Sequence, residues 1–144
     1  MQNEFIPYEQ ALALKELGFD KPCFKLIETN GIQRIAVNND YSNKLIDDVG
    51  DEQIYFTNQP DSMYYATIPL YSQAFRWFRE KYELESWVYK KRDDGYFYYI
   101  LREDRYLITN LFPIQYENIF CLPIYEEAEL ECLKQLIEIA KNGK

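Results

Sequence analysis

One short motif opens three separate stretches of this chain, and it constrains the fold more than any other sequence feature. In each copy an aliphatic residue and a proline precede Tyr, a variable residue, Gln or Glu, and then Ala; the second and third copies add one apolar residue after the proline. Proline is tolerated in the first helical turn, where its missing N–H would have no partner. Tyr and Ala, three positions apart, share one helical face, and the small Ala lets that face approach a neighbour closely. The motif predicts three helix starts: Pro7, Tyr8 and Ala11; Pro69, Tyr71 and Ala74; Pro123, Tyr125 and Ala128.

The first motif opens a helix that is predicted to run from Pro7 to Leu17. Gly18 suits the left-handed position that ends many helices, and Phe19 is placed to pack back on the last turn. Pro22 prevents the helix from continuing.

A β-hairpin is predicted directly after this helix. Residues 24–29 and 32–37 flank Asn30-Gly31, the dipeptide preferred in two-residue type I′ turns. Such a turn sets two apolar pairs opposite each other: Phe24 with Val37, and Leu26 with Ile35.

The same order of elements follows the second motif. One helical face is expected to carry Tyr71, Ala74, Phe75, Phe78 and Tyr82. Segments 86–92 and 96–102 then bracket the Gly-bearing turn at 93–95. The return strand is apolar or aromatic on both faces, which favours a central position in the sheet.

The third motif begins a final helix through about Ala140, with Leu130, Leu133 and Ile137 on one face beside Cys132 and Leu136. Residues 38–64 are interpreted as an acidic insertion, with a short strand possible near Ile54, and 106–109 as a possible further strand. The insertion contains one basic residue, Lys44, and six acidic residues: Asp40, Asp47, Asp48, Asp51, Glu52 and Asp61. The predicted fold is α+β, a single domain over residues 1–144 in which one mainly antiparallel sheet from two hairpins carries three packed helices.

Histidine is absent from all 144 residues. Its absence removes Ser-His and Cys-His pairs, His-metal sites and the commonest general base near neutral pH. The three cysteines, at 23, 121 and 132, are widely spaced and suit buried reduced thiols better than a disulfide frame or a zinc site. The adjacent carboxylates at 47–48 and 93–94 lie in predicted turns, where turn formation explains them without a catalytic role. No enzyme activity, metal or cofactor is therefore expected.

The net charge of −8 disfavours a general binder of nucleic acid or anionic membrane, because phosphate affinity comes mainly from clustered Lys and Arg. No stretch approaches eighteen consecutive apolar residues, and the first residues lack the basic and apolar pattern of a secretory signal. A cytoplasmic location is expected.

The main concentration of positive charge lies in the second helix and its hairpin. The candidate interaction residues are Arg76, Trp77, Arg79, Lys90, Lys91 and Arg92. Arg and Trp are favoured anchors of protein interfaces, and stacking on bases beside cations is a further possibility. In the alternative interpretation Trp77 seals the margin of the core, while the cations pair with Glu80, Asp93 and Asp94.

Three segments resemble blocks of a family of small uncharacterised proteins encoded by phages and prophages of gut bacteria: FIPYEQALALKELGF at 5–19, PLYSQAFRWFREKY at 69–82 and YEEAELECLKQL at 125–136. The resemblance covers the three helices and little between them. It implies a genomic setting and assigns no activity or site residue.

These observations favour a non-enzymatic phage or prophage accessory protein that binds another protein. Two alternatives stay open: a small-molecule or nucleotide binder that counteracts a host defence signal, and a structural component of the virion.

Overall fold

The structure is a computed structural model of the whole chain, and it describes residues 4–35, 44–46, 52–54, 56–58, 63–90, 95–103, 105–109 and 122–143. The chain divides into two compact units, residues 1–70 and residues 71–144. The single domain predicted from the sequence stays a prediction.

In the first unit the described residues form one helix and five strands: α1 (Tyr8–Glu16), β1 (Lys25–Glu28), β2 (Gln33–Ile35), β3 (Lys44–Ile46), β4 (Glu52–Ile54) and β5 (Tyr65–Ile68). In the second unit the described residues form two helices and three strands: α2 (Tyr71–Tyr82), β6 (Glu85–Lys90), β7 (Tyr96–Arg102), β8 (Arg105–Thr109) and α3 (Tyr125–Lys141).

The strands pair antiparallel throughout the described residues, which confirms the predicted α+β class. They form a three-stranded sheet in the order β2-β1-β5, a two-stranded sheet of β3 and β4, and a three-stranded sheet in the order β6-β7-β8. The two predicted hairpins therefore lie in different sheets, where one sheet was expected. The inner strand of each hairpin has a second partner that completes a three-stranded sheet: β5 pairs with β1, and β8 pairs with β7.

Each helix begins at the tyrosine of the repeated motif, so the prolines lie just before the helices and not in their first turn. Pro7 is the N-cap of α1, with an extended backbone at φ −63 and ψ 153. Its carbonyl accepts the first helical hydrogen bond, from the N–H of Ala11 at 3.0 Å. The motif alanines of all three helices are fully buried, as small residues on a packed face should be.

The predicted end of α1 is confirmed. Gly18 has φ 89, and its N–H donates to the carbonyl of Lys15 at 3.0 Å. The Phe19 N–H donates to the carbonyl of Leu14 at 2.9 Å, and both side chains are buried. These two bonds form the Schellman arrangement, in which a glycine allows the left-handed turn and an apolar residue packs behind it.

The first hairpin forms, but its predicted register is wrong by one residue. Leu26 lies opposite Arg34, not opposite Ile35. The turn has three residues: Gly31, at φ 86, donates to the carbonyl of Glu28 at 2.8 Å, and the Glu28 N–H donates to the carbonyl of Ile32 at 2.8 Å. A type I turn followed by a left-handed glycine is the usual three-residue alternative to a type I′ turn. The expected pair of Phe24 with Val37 involves a position outside the described residues.

Part of the predicted insertion is hydrogen-bonded to other segments of the first unit. The short strand expected near Ile54 is confirmed as β4. Cys23 and Phe56 exchange two backbone hydrogen bonds of 2.7 Å. The Asn58 side chain donates to the carbonyl of Phe19 at 3.0 Å and accepts from the N–H of Thr67 at 3.0 Å. Of the predicted acidic residues only Glu52 belongs to the described part of the chain.

In the second unit β7 is the central strand, as its two-sided apolar sequence predicted. The further strand expected at 106–109 is confirmed as β8. Both α2 and α3 pack within this unit, and α3 lies against β6 and β7. Its buried face consists of Ala128, Cys132, Leu133, Leu136, Ile137 and Ala140.

Candidate protein-binding surface

Trp77 was a candidate anchor from the sequence, but it lies inside the protein. Only 2% of the residue is exposed, because the buried side of α2 runs through Tyr71, Ala74, Trp77 and Phe78. Its ring meets those of Phe78 and Tyr82 edge-on, with centroids 5.1 and 5.4 Å apart. Trp77 therefore belongs to the core, in line with the alternative interpretation.

The candidate cations of α2 are exposed. Arg76 forms an ion pair with Glu80, one helical turn on, with 2.8 Å between Nε and Oε1. This hydrogen bond raises the pKa of Arg76 further above its ordinary value. Arg79 is also exposed. A surface i,i+4 pair contributes only about 0.3–0.5 kcal/mol, so the pair with Glu80 leaves Arg76 able to exchange partners.

The hairpin cations are only partly within the described residues. Lys90 ends β6, is exposed, and holds its Nζ 5.8 Å from the ring centroid of Tyr96. Lys91 and Arg92 lie outside the described residues, as do Asp93 and Asp94. Lys90 and Arg76 thus have different partners, and their contacts do not join them into one site.

Four rings lie on one side of the β6–β7 hairpin, and we call this set the aromatic face: Trp87, Tyr89, Phe97 and Tyr99. Trp87 is paired with Tyr99, and Tyr89 with Phe97. Directly opposite residues in an antiparallel pair point to the same side of the sheet, so the pairing itself brings the rings together.

The four rings of the aromatic face form a continuous row of ring-to-ring contacts. Trp87 stacks on Tyr99 with centroids 5.1 Å apart and an interplanar angle of 26°. Tyr89 lies 5.8 Å from Tyr99 and 5.9 Å from Phe97. Phe97 is fully buried, Tyr89 and Tyr99 are half-buried, and Trp87 is 44% exposed. The cluster therefore runs from a buried anchor to an exposed indole.

The opposite side of the hairpin is held against α3. Ile100 and Tyr98 are buried there, and the Ser86 hydroxyl is hydrogen-bonded to the Cys132 thiol. Burial raises the pKa of Cys132 to about 12 and that of Tyr98 to about 12. A thiol with so high a pKa stays protonated near neutral pH and is a poor nucleophile. This side supports the hairpin and leaves the aromatic face on the other side.

Every second residue of β6 points its backbone groups away from β7. Tyr96 exchanges hydrogen bonds of 2.9 and 3.2 Å with Leu122, on the side of β7 away from β6. The pair of Lys90 with Tyr96 is consequently not hydrogen-bonded, and the backbone groups of Lys90 point away from β7. By strand periodicity those of Val88 and Ser86 do the same. In the described part of the chain no strand lies on that side of β6.

Other kinds of site find little support in the described residues. No group of three or more metal-ligating side chains comes together in the described ranges. No helix in the same ranges is long and apolar enough to cross a membrane. Cys23 is buried like Cys132, and its pKa is raised to about 12 by burial.

Comparisons with known protein families, with curated proteins and with solved structures find no match to this chain. The candidate surface rests on the geometry of the chain itself.

The concentration of positive charge in the second helix and its hairpin led to Trp77 as a candidate, and the aromatic face was missed. A usable signal was present in the alternation of rings along 87–89 and 97–99, which puts two rings of each strand on one side of a hairpin. This alternation predicts a ring cluster only if the register that pairs Trp87 with Tyr99 is known. The register depends on the length of the turn, and the sequence of residues 91–94 is compatible with more than one turn length.

Proposed function

We propose that this chain is a non-enzymatic accessory protein of a phage or prophage, that it acts by binding another protein, and that the partner contacts the aromatic face. The observation that carries the proposal is the position of Trp87, which is stacked on Tyr99 at 5.1 Å and yet 44% exposed. Trp and Tyr are the residues most enriched among binding hot spots.

The stack makes Trp87 a favourable anchor because its ring is already positioned. Ordering a mobile side chain on association costs about 0.5–1.5 kcal/mol, and a ring held by its neighbours avoids much of that cost. Tyr99 belongs to the central strand β7, and the neighbouring ring of Phe97 is fully buried. A partner therefore meets a surface that the sheet has already arranged.

A protein partner fits this surface better than a nucleic acid. The chain has a net charge of −8, and nucleic-acid affinity rises with the number of phosphates that Lys and Arg neutralise. The exposed cations of α2, Arg76 and Arg79, suit local contacts with carboxylates of a protein partner. The phage or prophage setting, and with it the cytoplasm of an infected or lysogenic cell, follows from the resemblance of the three helical segments.

The test begins with affinity capture by the tagged chain from infected or lysogenic cells. A captured protein is then purified, and its affinity for wild-type and variant chains is measured by calorimetry. Trp87→Ala is expected to weaken binding about 30-fold, which corresponds to about 2 kcal/mol. Arg79→Glu is expected mainly to slow association at low salt.

Tyr64→Ala is the matched control, because Tyr64 is a large aromatic residue that is 77% exposed and lies in the other unit. It should bind as the wild type does. A partner that binds the folded Trp87→Ala chain as tightly as the wild type would refute the role of the aromatic face.

A further inference from the structure

We propose that a second copy of this chain pairs with the outer edge of β6, antiparallel and around a two-fold axis at Val88. The two sheets then join into one six-stranded sheet. This inference concerns the edge of the strand and does not depend on the partner proposed for the aromatic face.

The backbone of β6 is arranged for such pairing. Because the Lys90–Tyr96 pair is not hydrogen-bonded within the hairpin, the N–H and C=O groups of Ser86, Val88 and Lys90 point outward. In the symmetric register Val88 meets Val88 of the second copy, and Ser86 meets Lys90 in both directions. All three outward-facing residues thereby gain backbone hydrogen bonds, and none is left over.

Two other strand edges, those of β2 and β8, are protected in ways that β6 is not. In its described residues β2 has only three positions, and its middle residue, Arg34, is charged and paired with Glu28 at 2.5 Å. The pairing of β8 with β7 contains a register irregularity between Ile100 and Leu101, and bulges of this kind twist an edge away from further pairing. By contrast, β6 has six residues, with no charge and no proline from Ser86 to Tyr89.

The side chains of β6 also complement a second β6. In the symmetric register Trp87 lies opposite Tyr89 of the second copy, and the same contact occurs again across the axis. Aromatic cross-strand pairs and β-branched pairs such as valine with valine are among the favourable ones in sheets. The exposed indole gains a ring neighbour on its open side, and the aromatic faces of the two copies become continuous.

The charges of β6 favour the antiparallel arrangement of two copies. Lys90 ends the strand, and in the symmetric register it lies opposite the uncharged Ser86 of the second copy. Parallel pairing in register would instead place Lys90 beside Lys90 and Glu85 beside Glu85, and like charges directly opposite are destabilising. A second copy paired around the two-fold axis therefore brings no like charges of β6 directly opposite each other.

The test measures mass by light scattering after size exclusion, with the full chain from 1 to 200 μM. The wild type is expected to approach the mass of two chains of 17.4 kDa each as the concentration rises. Val88→Pro removes an outward N–H and leaves the β6–β7 hydrogen bonds in place, so a folded monomer is expected.

Charged residues at position 88 test the register without relying on that variant. Val88→Lys and Val88→Glu should each raise the dissociation constant of the dimer at least tenfold, because the two-fold axis places residue 88 opposite residue 88 of the second copy. An equimolar mixture of the two variants should restore dimer formation, because Lys then lies opposite Glu. Circular dichroism and thermal unfolding confirm that each variant is folded.

Three results would overturn the inference. A wild type that stays monomeric at 200 μM excludes self-pairing. A mixture of Val88→Lys and Val88→Glu that dimerises no better than either variant alone excludes the symmetric register, and a folded Val88→Pro dimer places the interface elsewhere. If the chain is monomeric and the edge amides of β6 are protected from hydrogen exchange only by the partner protein, then the edge receives a strand of that partner.

Discussion

The indole of Trp87 stacks on the ring of Tyr99, its direct neighbour on the central strand, with the ring centroids 5.1 Å apart. The contact fixes a large exposed side chain on a sheet whose other side is buried against α3. The arrangement therefore gives the β6–β7 hairpin both rigidity and a chemically distinctive surface.

The two tryptophans should differ sharply in their contribution to stability. Trp77→Ala removes a fully packed ring and is expected to lower the free energy of unfolding by about 3–5 kcal/mol. Trp87→Ala removes a half-exposed ring and one stacking contact, with an expected loss of about 0.5–1.5 kcal/mol. Urea unfolding of the two variants measures both, and equal losses would contradict the assigned positions.

The different positions of the two tryptophans also show where sequence reasoning succeeds and where it fails. Helical spacing correctly placed Tyr71, Ala74 and Phe78 on a buried face, because that periodicity is a local property of the helix. It also placed Phe75 and Tyr82 on that face and left Trp77 off it, which is wrong, since Phe75 and Tyr82 are half-buried and Trp77 is buried. The contacts with Phe78 and Tyr82 that decide the position of Trp77 depend on how α2 packs.

The buried motif alanines should not accept larger side chains. Ala11→Leu, Ala74→Leu and Ala128→Leu each insert three heavy atoms where the alanine is fully buried, and each is expected to cost about 1–3 kcal/mol. Ala13→Leu is the control, because Ala13 lies in α1 but is half-exposed. Chemical unfolding checks the series, and a motif alanine that accepts Leu at no cost would refute its role in close packing.

Two exposed glutamates hold left-handed backbone conformations and should be replaceable with a gain in stability. Glu83, after α2, has φ 57, and Glu103, between β7 and β8, has φ 49. A left-handed conformation costs a residue with a side chain about 1–2 kcal/mol. Glu83→Gly and Glu103→Asn are expected to raise the melting temperature. Glu138→Gly, in the right-handed backbone of α3, should instead cost about 1 kcal/mol.

Stability should fall at alkaline pH because of buried tyrosines. Burial raises the pKa of Tyr71 and of Tyr98 from the ordinary 10.0 to about 12, with the charge of Glu129 adding to the effect on Tyr71. The folded state holds these protons more tightly than the unfolded state. The contribution of the two protonated tyrosines to the free energy of unfolding is therefore complete below pH 10 and is lost as the pH rises toward about 12. Urea midpoints measured from pH 8 to 11 should decline less in Tyr98→Phe, whereas Tyr64→Phe, at an exposed position, should follow the wild type.

The hairpins show a second limit of sequence reasoning. Asn30-Gly31 located the first turn correctly, because few other dipeptides favour that conformation. The same pair fits a two-residue and a three-residue turn, and the side-chain oxygen of Asn30 accepts the N–H of Ile32 at 3.0 Å in the three-residue form. The strand β5 was missed because its four residues, directly before the second motif, are too short for a distinct alternation.

The most direct test of the proposed function uses Trp87 as its own reporter. In Trp77→Phe the only tryptophan is Trp87, and titration with the captured partner should shift its emission to shorter wavelength and protect it from quenching by acrylamide. Emission and quenching that stay unchanged, while calorimetry records binding, would show that the partner contacts the chain elsewhere and would contradict the assignment of the aromatic face.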